Sequence, residues 1–285
     1  MSEPKIERKI EPKIDRKIDR KRGAEPELAP ATISEADGVR YLHLGTPWVQ
    51  GAMRIRKSLA LELEYIQRMM AWMLLRPPGE ASHGHAVQLG LGAAAITRFC
   101  HSTLRMRCTA VELNPSVVDA CRMWFHLPVD SARFAMLQMD AAAYVADADR
   151  AGSVQALCVD LYDHDAASPV LDSAAFYRDC HRLLDDGGVM SVNLFGRDAS
   201  FERSAHRIAE AFGAECLRSL RPTKEGNTIV IASKNVAVPG REALAARADT
   251  IESRHGLPAK KWLRMLKALD FTAPLTEPEP DLTRP

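Results

Sequence analysis

The chain has 285 residues, 46% of them hydrophobic and 26% charged, with a formal net charge of +1. That length supplies the core of one large or two modest domains, and the near-neutral balance provides no global basic field for nucleic acid. No apolar run approaches the ~20 residues of a membrane span, so neither nucleic acid nor a membrane is an expected partner.

Residues 1–30 form a charged leader, beginning "MSEPKIERKIEPKIDRKIDRKRG", in which a four-residue unit repeats. Ile6, Ile10, Ile14 and Ile18 would stripe one helix face, but Pro12 interrupts it and four isoleucines bury too little to offset ordering entropy. A disordered tail is the expectation, with a partner-binding segment as the sharper alternative. The end is charged and has no apolar signal segment, so secretion is not expected.

Residues 31–80 read as a hairpin and a helix. In "VRYLHLGTPWVQGAMRI" two short apolar runs flank Gly45-Thr46-Pro47, a turn signal. Ser58 suits an N-cap for "LALELEYIQRMMAWMLL", where Leu59, Leu63, Ile66, Met70 and Met73 follow helical spacing. Pro77-Pro78-Gly79 should end that helix.

Residues 81–238 alternate strand and helix. The expected strands are "AVQLGL", "CTAVEL", "FAMLQM", "VQALCVDL" and "GGVMSVNLF", with helices between them. Asn114-Pro115 opens one helix, with proline in its first turn, and Asp172 is the expected cap of another. "ECLRSLR" and "NTIVIAS" flank Lys224-Glu225-Gly226, which implies a terminal antiparallel pair. Near-continuous apolar strands between helices indicate a parallel sheet covered on both faces. Residues 239–285 read as a linker, one or two amphipathic helices carrying Trp262, Leu266 and Leu269, and a proline-rich end. The fold class is therefore α/β: a Rossmann-like sheet, mostly parallel with its last strand antiparallel, behind a small N-terminal hairpin and helix.

The six cysteines, at 100, 108, 121, 158, 180 and 216, make no CxxC pair. They lie mostly in apolar runs and read as reduced thiols of a cytoplasmic protein. His83 and His85 have no third ligand at a recognisable spacing, so no metal is expected.

Gly90-Leu91-Gly92-Ala93-Ala94-Ala95 fits G-x-G-x-x-G/A directly after a strand. Glycines let backbone approach a ligand, and the helix start behind them favours anionic groups. Alone, the run reads equally as a tight strand-to-helix crossover. Glu112 ends the next strand about twenty residues on, where an acid accepts hydrogen bonds from ribose hydroxyls. Asp140-Ala141 and Asp160 end the following two. Each acid alone could be a helix cap, but three at one sheet edge beside a glycine turn favour a nucleoside site. Nicotinamide enzymes share the turn and the ribose acid. A third acid and a terminal antiparallel pair suit instead the class I methyltransferase fold, whose ligand is S-adenosylmethionine or a relative.

From Val39 to Lys234 the segments, in order, resemble the spermidine synthase (polyamine aminopropyltransferase) family. "WVQG" looks like the family's strand with a nucleoside-contacting glutamine, here Gln50. "VELNPSVVDACRMWF" is similar to its second strand and helix, which implies Glu112 on the ribose. "MDAAAYV" resembles the acid-small pair that recognises the adenine amino group, giving Asp140 and Ala141. "VDLYDHD" resembles the D-x-x-D catalytic loop. The resemblance implies Asp160 as the base and Asp163 as the acid holding the amine, with Tyr65 of "LEYIQRMM" facing the same site. It also implies decarboxylated S-adenosylmethionine as donor, a small-molecule amine as acceptor, and a dimer or tetramer, so a homodimer is one expected assembly.

The pattern departs in four places. Ala93 stands where the family's glycine turn carries an acid, Ile66 and Gln67 where His-Glu follows the tyrosine, and His164 where a proline follows the loop. Three functions therefore stay open. One is aminopropyl transfer to an amine. Another is methyl transfer from intact S-adenosylmethionine, and the third is nucleoside binding without catalysis.

Overall fold

A computed structural model describes residues 28–80, 83–161, 169–195 and 199–271. Most of the charged leader, the proline-rich end, and Asp163 and His164 of the catalytic-loop motif lie outside the described residues.

The chain begins with a three-stranded antiparallel sheet of β1 (Ala31–Ala36), β2 (Val39–Leu44) and β3 (Gly51–Arg54), in that order. The β2–β3 hairpin is the expected one around Gly45-Thr46-Pro47. The β1 strand was not expected. Its side chains are largely exposed, so no apolar alternation marks it. The signal it carries is Asp37-Gly38, whose φ values of 52° and 74° make the two-residue hairpin turn that Asp-Gly favours.

The helix expected from Ser58 starts later. Helix α1 spans only Glu64–Met69, followed by a 3-10 turn at Met70–Leu74. The Ser58 carbonyl, which a cap would offer to the first turn, accepts instead from Arg98 Nε at 3.0 Å. Leu59 is exposed, whereas Ile66, Met69, Met70 and Met73 are buried. The apolar spacing was thus sound over its second half only.

The large sheet is built from β4 (His85–Leu89), β5 (Arg107–Glu112), β6 (Phe134–Gln138), β7 (Val154–Val159), β8 (Leu184–Phe195), β9 (Leu217–Leu220), β10 (Asn227–Ser233) and β11 (Leu266–Lys267). Its order is β11-β9-β10-β8-β7-β4-β5-β6. Strands β4 to β8 pair in parallel, and β10 runs antiparallel to both β8 and β9. This is the expected mostly parallel sheet with a terminal antiparallel pair. The edge strand β11, paired with β9, was not expected.

The helices between strands are α2 (Ala95–Arg98), α3 (Pro115–Trp124), α4 (Ala141–Ala146), α5 (Ala174–Leu183) and α6 (Ala199–Phe212), with α7 (Arg241–His255) and α8 (Ala259–Met265) near the end. Asn114 caps α3 by accepting from Ser116 N at 3.0 Å, with Pro115 in the first turn. The cap of α5 is Ser173, which accepts from Phe176 N, rather than Asp172.

Burial on both faces explains the near-continuous apolar strands. One core layer packs Met69, Met70, Trp72, Phe99 and Trp262 against one face, and the other packs Tyr144, Phe176, Tyr177 and Ile208 against the opposite face. The chain leaves β4 toward β5 and returns through β7 on its other side, so the order reverses at β4. That reversal opens a crevice at the strands' carboxyl ends.

Candidate active site

The glycine turn follows β4 directly at the reversal point. Gly90 has a φ of 81°, and its N–H donates to Val111 O of β5 at 2.9 Å. A Cβ on Gly90 would lie 2.9 Å from the Asp160 carbonyl carbon and closer still to its oxygen. Glycine is therefore required by both the left-handed backbone and the contact with the end of β7. Asp160 N in turn donates to Leu89 O at 2.9 Å. Gln50 lies across the turn, its carbonyl oxygen 3.2 Å from where a Gly92 Cβ would stand.

Glu112 holds the other side of the turn. Its carboxylate accepts from Leu91 N at 2.8 Å and from Asn114 N at 2.9 Å. Burial pushes its pKa up, against the backbone N–H groups of Asn114, Leu91 and Leu113. Each carboxylate oxygen has a second lone pair for a further donor such as a hydroxyl.

Asp140 and Ala141 stand at the neighbouring strand end, joined to β5 by Met139 N donating to Glu112 O at 3.1 Å. Asp140 is exposed and caps α4, accepting from Ala142 N at 2.8 Å, while Ala141 is buried. Among the described residues, the capping role weighed for all three acids is met here.

Asp160 is a different kind of acid. Its Oδ2 accepts from Tyr65 Oη at 3.3 Å and its Oδ1 from Asn193 Nδ2 at 2.9 Å. Burial raises its pKa, and the bonds from Asn193 and Tyr65 act in the opposite direction. A carboxylate with raised proton affinity, flanked by neutral donors, is suited to taking a proton. Tyr65 reaches it from α1 and Asn193 from β8, so three elements meet at this group.

No protein-family profile matches the chain. A polyamine aminopropyltransferase of Neisseria meningitidis serogroup A is 30% identical over 249 residues, which cover 87% of this chain and 92% of the relative. This chain belongs to the polyamine aminopropyltransferase family. Among solved structures, a probable spermidine synthase from Corynebacterium glutamicum matches with a TM-score of 0.65 and 20% identity, covering 87% of this chain and 95% of that one. Human methyltransferase-like protein 13, solved with SAH, matches with a TM-score of 0.58 and 21% identity, covering 74% of this chain and 97% of that one. Both likenesses bear on the fold, which is that of spermidine synthases and methyltransferases.

The departures from the family pattern have definite places. Ala93 is buried against β3, and a Cβ on Gly51 would stand 2.5 Å from Ala93 N and 2.6 Å from its methyl. Ile66 is core. Gln67 donates to Leu61 O at 2.8 Å. Among the described residues no cluster of three or more His, Cys, Asp or Glu is disposed to hold a metal ion, and no helix is long and apolar enough to cross a membrane.

Three residues at the site escaped the sequence reading. Gln88 is buried beneath the turn, donating to Gly90 O at 2.8 Å and Leu91 O at 3.0 Å, and accepting from Thr97 N and Oγ1. Arg98, 2% exposed, donates to the carbonyls of Ala93, Phe125 and Ser58. Burial lowers its pKa to about 10, with the neighbouring Cys121 acting in the opposite direction. Asn193 is the third. Gln88 and Asn193 each carried one signal, a polar residue inside an otherwise apolar strand run, which Asn193 shares with Ser191.

Proposed function

We propose that the chain transfers an aminopropyl group from decarboxylated S-adenosylmethionine to a small amine, with Asp160 accepting the amine's proton. The observation that carries this reading is Asp160 itself, a half-buried carboxylate held between Tyr65 and Asn193 directly beside the glycine turn.

In the proposed site the nucleoside lies across the crevice. Glu112 accepts from the ribose hydroxyls, Asp140 and Ala141 meet the adenine edge, and Gly90, Gly92 and Gln50 allow its close approach. The amine stands at Asp160 and Tyr65, and Asp163, the second acid of the D-x-x-D motif, is proposed to hold it by charge. The amine nitrogen's lone pair attacks the aminopropyl carbon bonded to sulfur. The carbon–sulfur bond breaks, and its electrons neutralise the sulfonium and release a thioether nucleoside. The proton lost from nitrogen passes to Asp160. Holding both partners in one crevice replaces a bimolecular encounter.

Ala93 favours weighing methyl transfer from intact S-adenosylmethionine as a second reading, because no carboxylate there would repel the methionine carboxylate. Calorimetry of the protein with each donor separates the two. The proposal expects tighter binding of the decarboxylated donor, followed by release of thioether nucleoside on adding a diamine. Tighter binding of intact S-adenosylmethionine contradicts it, and no heat with either supports a non-catalytic role.

A further inference from the structure

We propose that Asn227 is a positioning residue for Asp160. By accepting a hydrogen bond from Asn193, it turns that amide so that nitrogen, not oxygen, faces the carboxylate. The inference rests on Asp160 being the reacting acid, but its decisive measurement does not need the reaction.

The two ends of an asparagine amide have nearly the same shape, so bonding partners decide the orientation. Asn193 is 2% exposed, and its Nδ2 donates to Asp160 Oδ1 at 2.9 Å and to Asn227 Oδ1 at 3.1 Å. Flipped, it would set its oxygen against two acceptors. A buried polar contact of that kind is costly.

Asn227 is oriented in its turn by the hairpin that delivers it. Thr223 N donates to Asn227 O at 2.8 Å, and Asn227 N donates to Thr223 Oγ1 at 3.2 Å. Asn227 Nδ2 reaches the same hydroxyl oxygen at 3.5 Å, which leaves Oδ1 toward Asn193. Gly226, at a φ of 102°, closes the turn. In the β8–β10 register Asn227 stands opposite Phe195 and Ile229 opposite Asn193. The two asparagines are thus diagonal neighbours on one sheet face, within side-chain reach. Donation runs one way along the chain: Asn227 to Thr223, Asn193 to Asn227, and Asn193 with Tyr65 to Asp160.

Burial raises the proton affinity of Asp160 and the Asn193 bond opposes it. Loss of the Asn227 acceptor removes one of the two partners that orient the amide, leaving only the carboxylate itself, and weakens that opposition. The test is a carbon-13 NMR titration of the Asp160 carboxyl in the resting protein, without substrate. In Asn227→Ala the midpoint is expected to rise by about 0.5–1 pH unit, the scale of one hydrogen bond to a carboxylate. Adding Asn227→Ala to Asn193→Leu should move it no further, because the two act through one bond. In the active enzyme the acid limb of kcat should rise by the same amount, with KM for the donor unchanged. An unmoved midpoint in Asn227→Ala, or an added shift in the Asn193→Leu background, overturns the proposal. Should Asn227→Ala not fold, Thr223→Val removes the hydroxyl that orients Asn227 and is judged by the same criteria. A shifted midpoint in a protein that transfers no aminopropyl group would sustain the positioning role and refute the proposed reaction instead.

Discussion

Substituting Gly90 by alanine tests whether the turn and the acid at the end of β7 are one mechanical unit. Two costs arise. Gly90 has a φ of 81°, and placing an L-residue in left-handed backbone costs about 1–2 kcal/mol. The new Cβ also stands 2.9 Å from the Asp160 carbonyl carbon and nearer its oxygen, an overlap with backbone that no rotamer change relieves. Asp160 N is tied to Leu89 O, so the overlap must be relieved by moving the turn or the segment that carries the carboxylate. Such strain in a packed site adds roughly 2 kcal/mol. Gly152 is the control, since its φ is 66° and a Cβ there meets nothing within 4 Å. At roughly 2–4 °C per kcal/mol for a chain of this size, Gly152→Ala should lower the thermal midpoint by a few degrees, and Gly90→Ala by roughly twice that or more. Gly90→Ala should also lower kcat by about 10²-fold at temperatures where it is folded, because displacement of a reacting group by ~1 Å has that effect. Equal midpoints for the two variants, or full turnover in folded Gly90→Ala, would refute the reasoning.

Two further predictions concern stability. His85 is buried, with Nε2 within 2.8 Å of Thr109 Oγ1, and burial lowers its pKa from 6.5 to about 4. Its folded-state pKa is depressed, so the neutral-form advantage is complete above pH 6.5 and is lost as pH falls toward 4, on the order of 3 kcal/mol in all. Urea unfolding of His85→Gln between those pH values should show a shallower loss than the parent, and parallel curves would reject that cause. Asn114→Ala removes both the cap of α3 and the bond from Asn114 Nδ2 to Ala29 O at 2.7 Å. It should cost about 1–2 kcal/mol in the same assay, and a loss within 0.3 kcal/mol, about the additivity error of such measurements, would mean water replaces both bonds.

What was legible in the sequence follows from how local each cause is. Strands β4 to β8 were readable because burial on both faces leaves uninterrupted apolar runs between punctuating residues. Strand β1 was not, because one short exposed strand carries no such run; only Asp37-Gly38 announced it. The helix begun at Ser58 was misplaced because a carbonyl was claimed by Arg98, 40 positions away, and spacing does not register such a partner. The glycine turn and the acids occupy fixed offsets, so their positions at the strand ends were readable from the sequence. Asn193 and Asn227 are 34 residues apart and acquire meaning only when β8 and β10 pair. Ala93 was noticed as a missing acid, and its place against β3 adds that any side chain on Gly51 would overlap it.

The central claim is that Asp160 takes the proton from the attacking amine. Single-turnover release of thioether nucleoside from decarboxylated S-adenosylmethionine and a diamine, compared between the parent and Asp160→Asn, tests it most directly. Asparagine keeps an acceptor for Asn193 and turns an amide N–H to Tyr65 Oη, which can accept it, but cannot act as the base. The account predicts a rate lower by about 10²–10⁴-fold, the usual worth of a general base, with donor affinity by calorimetry within a few-fold of the parent. A variant that binds the donor and turns over at the parental rate would contradict it.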